Sequence, residues 1–168
     1  MFFHANHAAV TGSKNIIISS SDTDVVVLAI YVFIDLHINE LWIAFGKEKD
    51  FRWIPVHQTT RALGPRCIAL PFFHVFPGCD TVSVFVGKGK QSALQTWNVF
   101  QAATEVFTRL SAPVSSITDD ELSIIEECVV IMYDRASETN KFDEVRLDLF
   151  ARKQRQYNAV PSSSAALE

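Results

Sequence analysis

Three aspartates and a glycine-punctuated pair of lysines carry the residue types that phosphodiester chemistry uses. Asp22-Thr23-Asp24 follows the uncharged run Asn15-Ile16-Ile17-Ile18-Ser19 by way of Ser20 and Ser21. Gly78-Cys79-Asp80 comes later, and Gly87-Lys88-Gly89-Lys90-Gln91-Ser92-Ala93 soon after it. Carboxylates are hard oxygen ligands, so clustered aspartates suit Mg2+ or Mn2+. Two such ions activate a water and stabilise the leaving oxygen of a phosphodiester. A turn with two glycines exposes backbone N–H groups, and the helix start that follows it favours an anion. Asp22, Asp24 and Asp80 are therefore the candidate catalytic metal ligands. Gly87, Lys88, Gly89 and Lys90 are the candidate phosphate-binding residues.

Each of these residues also has a plainer reading. Asp22 can be the N-cap of a helix, with Asp24 a first-turn residue that the helix dipole favours. Asp80 can cap the helix after its glycine turn, Gly-x-Gly occurs in many loops, and Lys88 and Lys90 can be solvated lysines. His4 and His7 stand three apart, as helical metal ligands can, but no third ligand is near them and ordinary helix residues are the better reading.

The elements that must position these groups follow from the apolar pattern. Residues 2–10 predict a short helix ended by Thr11-Gly12-Ser13. The β-branched run 15–19 predicts a central strand with both faces covered, delivering Asp22 and Asp24 to its carboxyl end. Residues 23–33 predict a buried helix with Asp22 as its cap. Residues 41–45 and 51–56 predict a hairpin around the polar turn 46–50, with Pro55 ending the second strand or marking it as an edge. A short helix over 57–63 stops at Gly64-Pro65, and a second apolar helix covers 68–76. Beyond Asp80 the pattern predicts a short helix to Val86. After the Gly87-Lys88-Gly89 turn it predicts a long helix over 90–103, burying Leu94, Trp97, Val99 and Phe100.

Thr118-Asp119-Asp120-Glu121 is a capping box opening a helix that carries Leu122, Ile124, Ile125, Cys128, Val129 and Met132. Residues 142–157 are amphipathic and increasingly basic, and the serine-rich end reads as a tail. The expected division is 1–105 as an α/β core, 106–158 as a helical extension and 159–168 as the tail.

Bulk composition narrows the class. With 48% hydrophobic and 20% charged residues in 168, the chain suits one globular core and not a disordered segment. No apolar run reaches the roughly 18–20 residues a membrane span takes, so no membrane partner is expected. Cys67, Cys79 and Cys128 are odd in number and widely spaced, which suits reduced core thiols in an intracellular protein. A net charge of −4 argues against a protein that coats nucleic acid by bulk electrostatics, so any basic footprint is local.

In their order and separation, Asp22-Thr23-Asp24, Gly78-Cys79-Asp80 and Gly87-Lys88-Gly89 through Ala93 resemble the flap-endonuclease-like 5′-nucleases of the PIN-like superfamily. That family has an Asp-x-Asp after a central strand, a later Gly-x-Asp, and Gly-x-Gly-x-x-x-Ala in a helix-two-turn-helix element. The resemblance spans about 15–100. It implies an α/β fold with a mainly parallel sheet flanked by helices and a helical C-terminal third. It also implies a Mg2+- or Mn2+-dependent nuclease that cuts branched or single-stranded-flap DNA, with RNA as a further substrate. Asp22, Asp24 and Asp80 would hold the metal directly or through water, and Gly87, Gly89 and Lys90 would grip the duplex backbone. An intracellular, nuclear location goes with such a substrate.

The family carries further acidic ligands upstream, whereas no Asp or Glu precedes Asp22 here. The chain is thus expected to be the C-terminal part of such a domain, weak or inactive as it stands. A catalytically incomplete nucleic-acid-binding module and an α/β protein-interaction domain are the alternative readings.

Overall fold

The structure is a computed structural model that describes residues 1–78, 85, 87–113 and 116–134. It is mixed α/β and mostly helical: seven α-helices and a three-stranded sheet occur among the described residues. The chain divides into two compact units, Met1–Pro71 and Phe72–Glu168.

The first unit opens with α1 (Phe2–Val10), whose last turn the Thr11 hydroxyl closes by donating to the carbonyls of His7 and Ala8. Strand β1 (Asn15–Ser20) leads to α2 (Thr23–Val32), which tightens into a 3-10 turn over Phe33–Asp35. Strands β2 (Glu40–Phe45) and β3 (Arg52–Pro55) then form the expected hairpin. Its turn depends on Gly46, whose φ is +83° and where a Cβ would lie 2.6 Å from the Asp50 carbonyl oxygen. Pro55 ends β3 and α3 (Val56–Leu63) starts directly after it.

The sheet runs β1-β2-β3, with β1 parallel to β2 and β3 antiparallel to it. The middle strand is therefore β2. The expectation of a central β1 covered on both faces is corrected: among the described residues β1 pairs on one side only, and Ile17 is 65% exposed. Three consecutive isoleucines signal a buried strand but do not say how many neighbours it has. The register sets Ile18, Ile43 and Ile54 in one row on the covered face. Ser19, Ala44 and Trp53 form the corresponding row on the other face, where Trp53 is 51% exposed.

Ile18 and Ile43 join Ala29 and Ile30 of α2, Val56 of α3 and Cys67 in one apolar cluster. His57 is buried beside them and hydrogen-bonds through Nδ1 to the Leu41 carbonyl oxygen at 3.2 Å, tying α3 to β2. Of α2 itself, Ala29 and Ile30 are the buried residues, so the expected buried helix covers the core with one narrow stripe.

Helix α4 (Arg66–Val75) spans the division between the units and carries Pro71 in its interior. A proline supplies no N–H and crowds the preceding turn, which loosens the local ladder. The N–H of the next residue, Phe72, donates to the Ser111 hydroxyl at 3.0 Å. In the second unit Phe72, Phe73, Phe76, Phe85, Trp97 and Phe107 pack ring on ring at centroid separations of 4.7–6.1 Å. Five of the thirteen phenylalanines of the sequence meet in this cluster.

The long helix expected over 90–103 is two helices, α5 (Lys90–Val99) and α6 (Ala103–Leu110). At Phe100 the backbone leaves the helical region, with φ −109° and ψ +80°. Folding α6 back lets Phe107 meet Trp97, and the Trp97 indole donates to the Thr104 hydroxyl at 3.0 Å. Tertiary packing here outweighs a continuous helical propensity. The buried face of α5 is Ala93, Thr96 and Trp97, whereas Leu94 and Val99 are 45% and 63% exposed.

Helix α7 (Asp119–Tyr133) starts at the expected capping box, Thr118 with Glu121. Glu121 also forms an ion pair with Arg109 of α6. Ile125, Cys128, Val129 and Met132 are buried, as the apolar spacing requires. Cys67 and Cys128 are free, buried thiols. The expected short helix after Asp80, the basic helix over 142–157 and the tail lie outside the described residues.

Candidate functional site

The strand before Asp22 ends at Ser20, so both aspartates fall in the turn and first helical residues beyond the carboxyl end of β1. This end of a parallel pair is where open α/β sheets bind ligands. The connection is pinned locally. The Asp22 N–H donates to the Ser20 hydroxyl at 3.1 Å, and the Gly46 N–H reaches the Ser20 carbonyl at 3.1 Å.

Asp22 is the N-cap of α2: its Oδ1 accepts the Asp24 N–H at 2.9 Å. Its backbone is extended there, and Asp24 sits in the first turn, where the helix dipole favours a carboxylate. Both side chains are exposed. The capping role expected of Asp22 is thus present in the fold.

A metal-ligand role makes a different demand. Capping engages Oδ1, and the second carboxylate oxygen of Asp22 can still serve as a hard ligand beside Asp24. Mg2+ keeps several of its waters and is commonly bound by one or two carboxylates. Among the described residues no group of three or more His, Cys, Asp and Glu side chains converges on one point, His4 and His7 included. Asp80 lies outside the described residues, as does Cys79.

The lysine turn belongs to the second unit. Gly87 has φ +70°, a conformation that glycine adopts without strain. Gly89 is different. It is the N-cap of α5 with an extended φ of −112°, and a Cβ there would meet nothing within 4 Å among the described residues. Neither its own backbone conformation nor its packing against the described residues calls for glycine. The first turn of α5 has no acidic residue and no side-chain cap, so the positive end of the helix is not offset by a local carboxylate.

Two interactions at this turn join residues distant along the chain, which local sequence patterns do not show. Lys88 Nζ lies over the Tyr133 ring, 5.4 Å from its centroid. Lys90 Nζ lies 3.3 Å from His74 Nε2. The sequence marks them only by residue type, with Phe85 before the turn and Tyr133 at the end of α7.

An open groove of about 370 Å3 separates α1 from β1, lined by His4, Ala5 and Ala8 on one side and Ile16 and Ile17 on the other. Neither aspartate lines it.

Compared with family models, with curated proteins and with solved structures, the chain gives no match. The fold and the turn therefore define a mixed α/β protein with a paired-carboxylate strand end and a lysine-flanked helix start. No helix among the described residues is long and apolar enough to cross a membrane.

Proposed function

We propose that the chain serves a divalent-metal-dependent, structure-selective DNA nuclease of the flap-endonuclease type, and that its own share of the task is to grip DNA and supply carboxylates. The observation that carries this reading is Gly89. A glycine that neither φ nor packing against the described residues requires stands between two lysines at a helix start with no side-chain cap. A bare backbone there lets a phosphate approach the first N–H groups of α5. Lys88 and Lys90 add compact, flexible positive charges on either side.

Asp22 and Asp24 would hold Mg2+ or Mn2+. The ion would supply Lewis-acid stabilisation and an activated water when bound. The chain's own residues orient it: the cap at Asp24 N–H fixes the Asp22 carboxylate, and Ser20 fixes the turn that carries it. Two-metal hydrolysis takes more carboxylates than this pair, so this chain binds flap DNA and cuts it weakly or not at all.

Fluorescence anisotropy with a duplex bearing a single-stranded flap, in EDTA, tests the reading. Binding should weaken as salt rises, and each phosphate that is no longer neutralised should lower the log–log slope by about 0.9. Lys88→Ala with Lys90→Ala should therefore bind less tightly with a slope smaller by about two. An unchanged slope, or no binding by the wild type, counts against the turn as a DNA-binding element.

A further inference from the structure

We infer that the free edge of β1 pairs antiparallel with the same edge of a second copy of this chain, joining the two sheets through one seam. Among the described residues β1 pairs with β2 alone. The carbonyls of Lys14 and Ser20 accept the N–H groups of Glu40 and Gly46, so both point toward the hairpin. Backbone groups alternate sides along a strand, which turns those of Asn15, Ile17 and Ser19 to the free edge. The groove of about 370 Å3 beside α1 lies there. Ile16 and Ile18 point to one sheet face, Ile17 and Ser19 to the other. A groove lined by all four therefore runs along the edge and leaves space for an incoming strand.

The two outer strands of the sheet differ. Strand β3 carries Arg52 and Pro55, a charge and a proline of the kind that keep edges from pairing. Strand β1 has neither, and its Ile17 is 65% exposed. The nearest charges stand beyond its ends, Lys14 before it and Asp22 after it, and both side chains are exposed. A second copy in antiparallel orientation sets Lys14 near Asp22 at both ends of the seam, whereas a parallel one sets like charges together. With Ile18 facing Ile18 across the two-fold axis, Lys14 stands opposite Asp22, and the outward groups of Ile17 and Ser19 exchange hydrogen bonds. Lys14 Nζ donates to the His37 carbonyl at 3.3 Å and, as an ammonium, has donors to spare. Such an exposed ion pair selects orientation and adds little affinity, which comes from the backbone ladder and the isoleucines.

Sedimentation velocity of the full 168-residue chain over a concentration series tests this, with EDTA present so that no metal bridges two copies. The wild type should reach a species of twice the chain mass and stop there. Ile17→Pro removes an outward N–H and no bond to β2, and should weaken the dimer about tenfold or more. Ile17→Lys, the guard that natural edge strands use, replaces it if circular dichroism shows the proline variant unfolded. Lys14→Ala should weaken the dimer about two- to threefold at low salt. Trp53→Ser, on β3 and 51% exposed in the wild type, should leave the dimer as tight as before. A wild type that stays monomeric overturns the inference, whatever else the edge binds, as does an assembly larger than a dimer. So does a dimer that persists in a folded Ile17 variant. Loss of the dimer in Trp53→Ser puts the contact on the open sheet face and equally overturns it. A Lys14→Ala dimer as tight as the wild type's, or tighter, overturns the antiparallel orientation.

Discussion

One carboxylate oxygen of Asp22 accepts the backbone N–H of Asp24 at 2.9 Å, so the first aspartate of the pair caps the helix on which the second sits. Structure and proposed chemistry thus share a side chain, and substitutions can separate them. Asn caps a helix about as well as Asp, whereas Ala does not. Asp22→Ala should lose about 1 kcal/mol of stability by urea denaturation, and Asp22→Asn little. Equal losses in the two variants would show that charge, and not the cap, is what α2 needs.

Gly46 is the glycine whose replacement the hairpin should tolerate least. It combines φ +83° with a backbone oxygen 2.6 Å from where a Cβ would be. Gly64 has φ +55° but open space around it. Gly46→Ala should therefore destabilise the chain by well over about 1 kcal/mol, and by more than Gly64→Ala, which meets no clash but sets an L residue at φ +55°, ψ −138°. Thermal melts of the two variants compare them directly, and the reverse order would contradict the turn geometry.

Thr96 is buried in α5, and its hydroxyl has no hydrogen-bond partner among the described residues. Replacing an unsatisfied buried hydroxyl by a methyl of the same shape is neutral or favourable. Thr96→Val should leave the unfolding free energy unchanged or raise it by up to about 1 kcal/mol, read from the denaturation midpoint. A clear drop would mean that the hydroxyl is satisfied in solution.

Burial among apolar neighbours, with the Glu127 charge adding to it, pushes the Cys128 thiol from 9.0 up to about 12. Burial also raises the Tyr133 phenol from 10.0 to about 12. In both, the folded state keeps a proton that the unfolded state releases at lower pH. Stability from these groups is intact below about pH 9 and falls as pH rises from there towards 12. Denaturant midpoints should drop across that window, and Cys128→Ala should flatten the drop. Cys128 should also react slowly with a thiol reagent at neutral pH until the chain unfolds.

How much of this is legible in the sequence depends on how local the signal is. The Thr118–Glu121 box, the hairpin around Gly46 and the cap at Asp22 each involve residues a few positions apart, and each is readable from residue type. The break at Phe100 is not, because it follows from Trp97 meeting Thr104 and Phe107 across a turn. The buried face of α5 is hidden for the same reason: Leu94 and Val99 are apolar, but the neighbouring helices meet Ala93, Thr96 and Trp97 instead. The place of β1 in the sheet is hidden because Ile16, Ile17 and Ile18 look alike to a pattern, while only Ile18 is buried. Of the candidate site, the aspartate pair and the lysine turn stand out as stretches of sequence. Their aromatic neighbours, Tyr133 and His74 beside the lysines, are distant in the chain and carry no local mark.

The central claim is that the Asp22–Asp24 pair binds a divalent cation in addition to starting α2. Calorimetric titration of Mn2+ into the wild type, Asp22→Asn and Asp24→Asn tests it most directly. Asp22→Asn keeps the cap, so weakened binding there cannot be blamed on a disrupted helix. The prediction is Mn2+ binding by the wild type that weakens about tenfold or more in both variants, at nearly unchanged stability for Asp22→Asn. No binding by the wild type, or equal binding by all three proteins, would leave Asp22 a helix cap and nothing more.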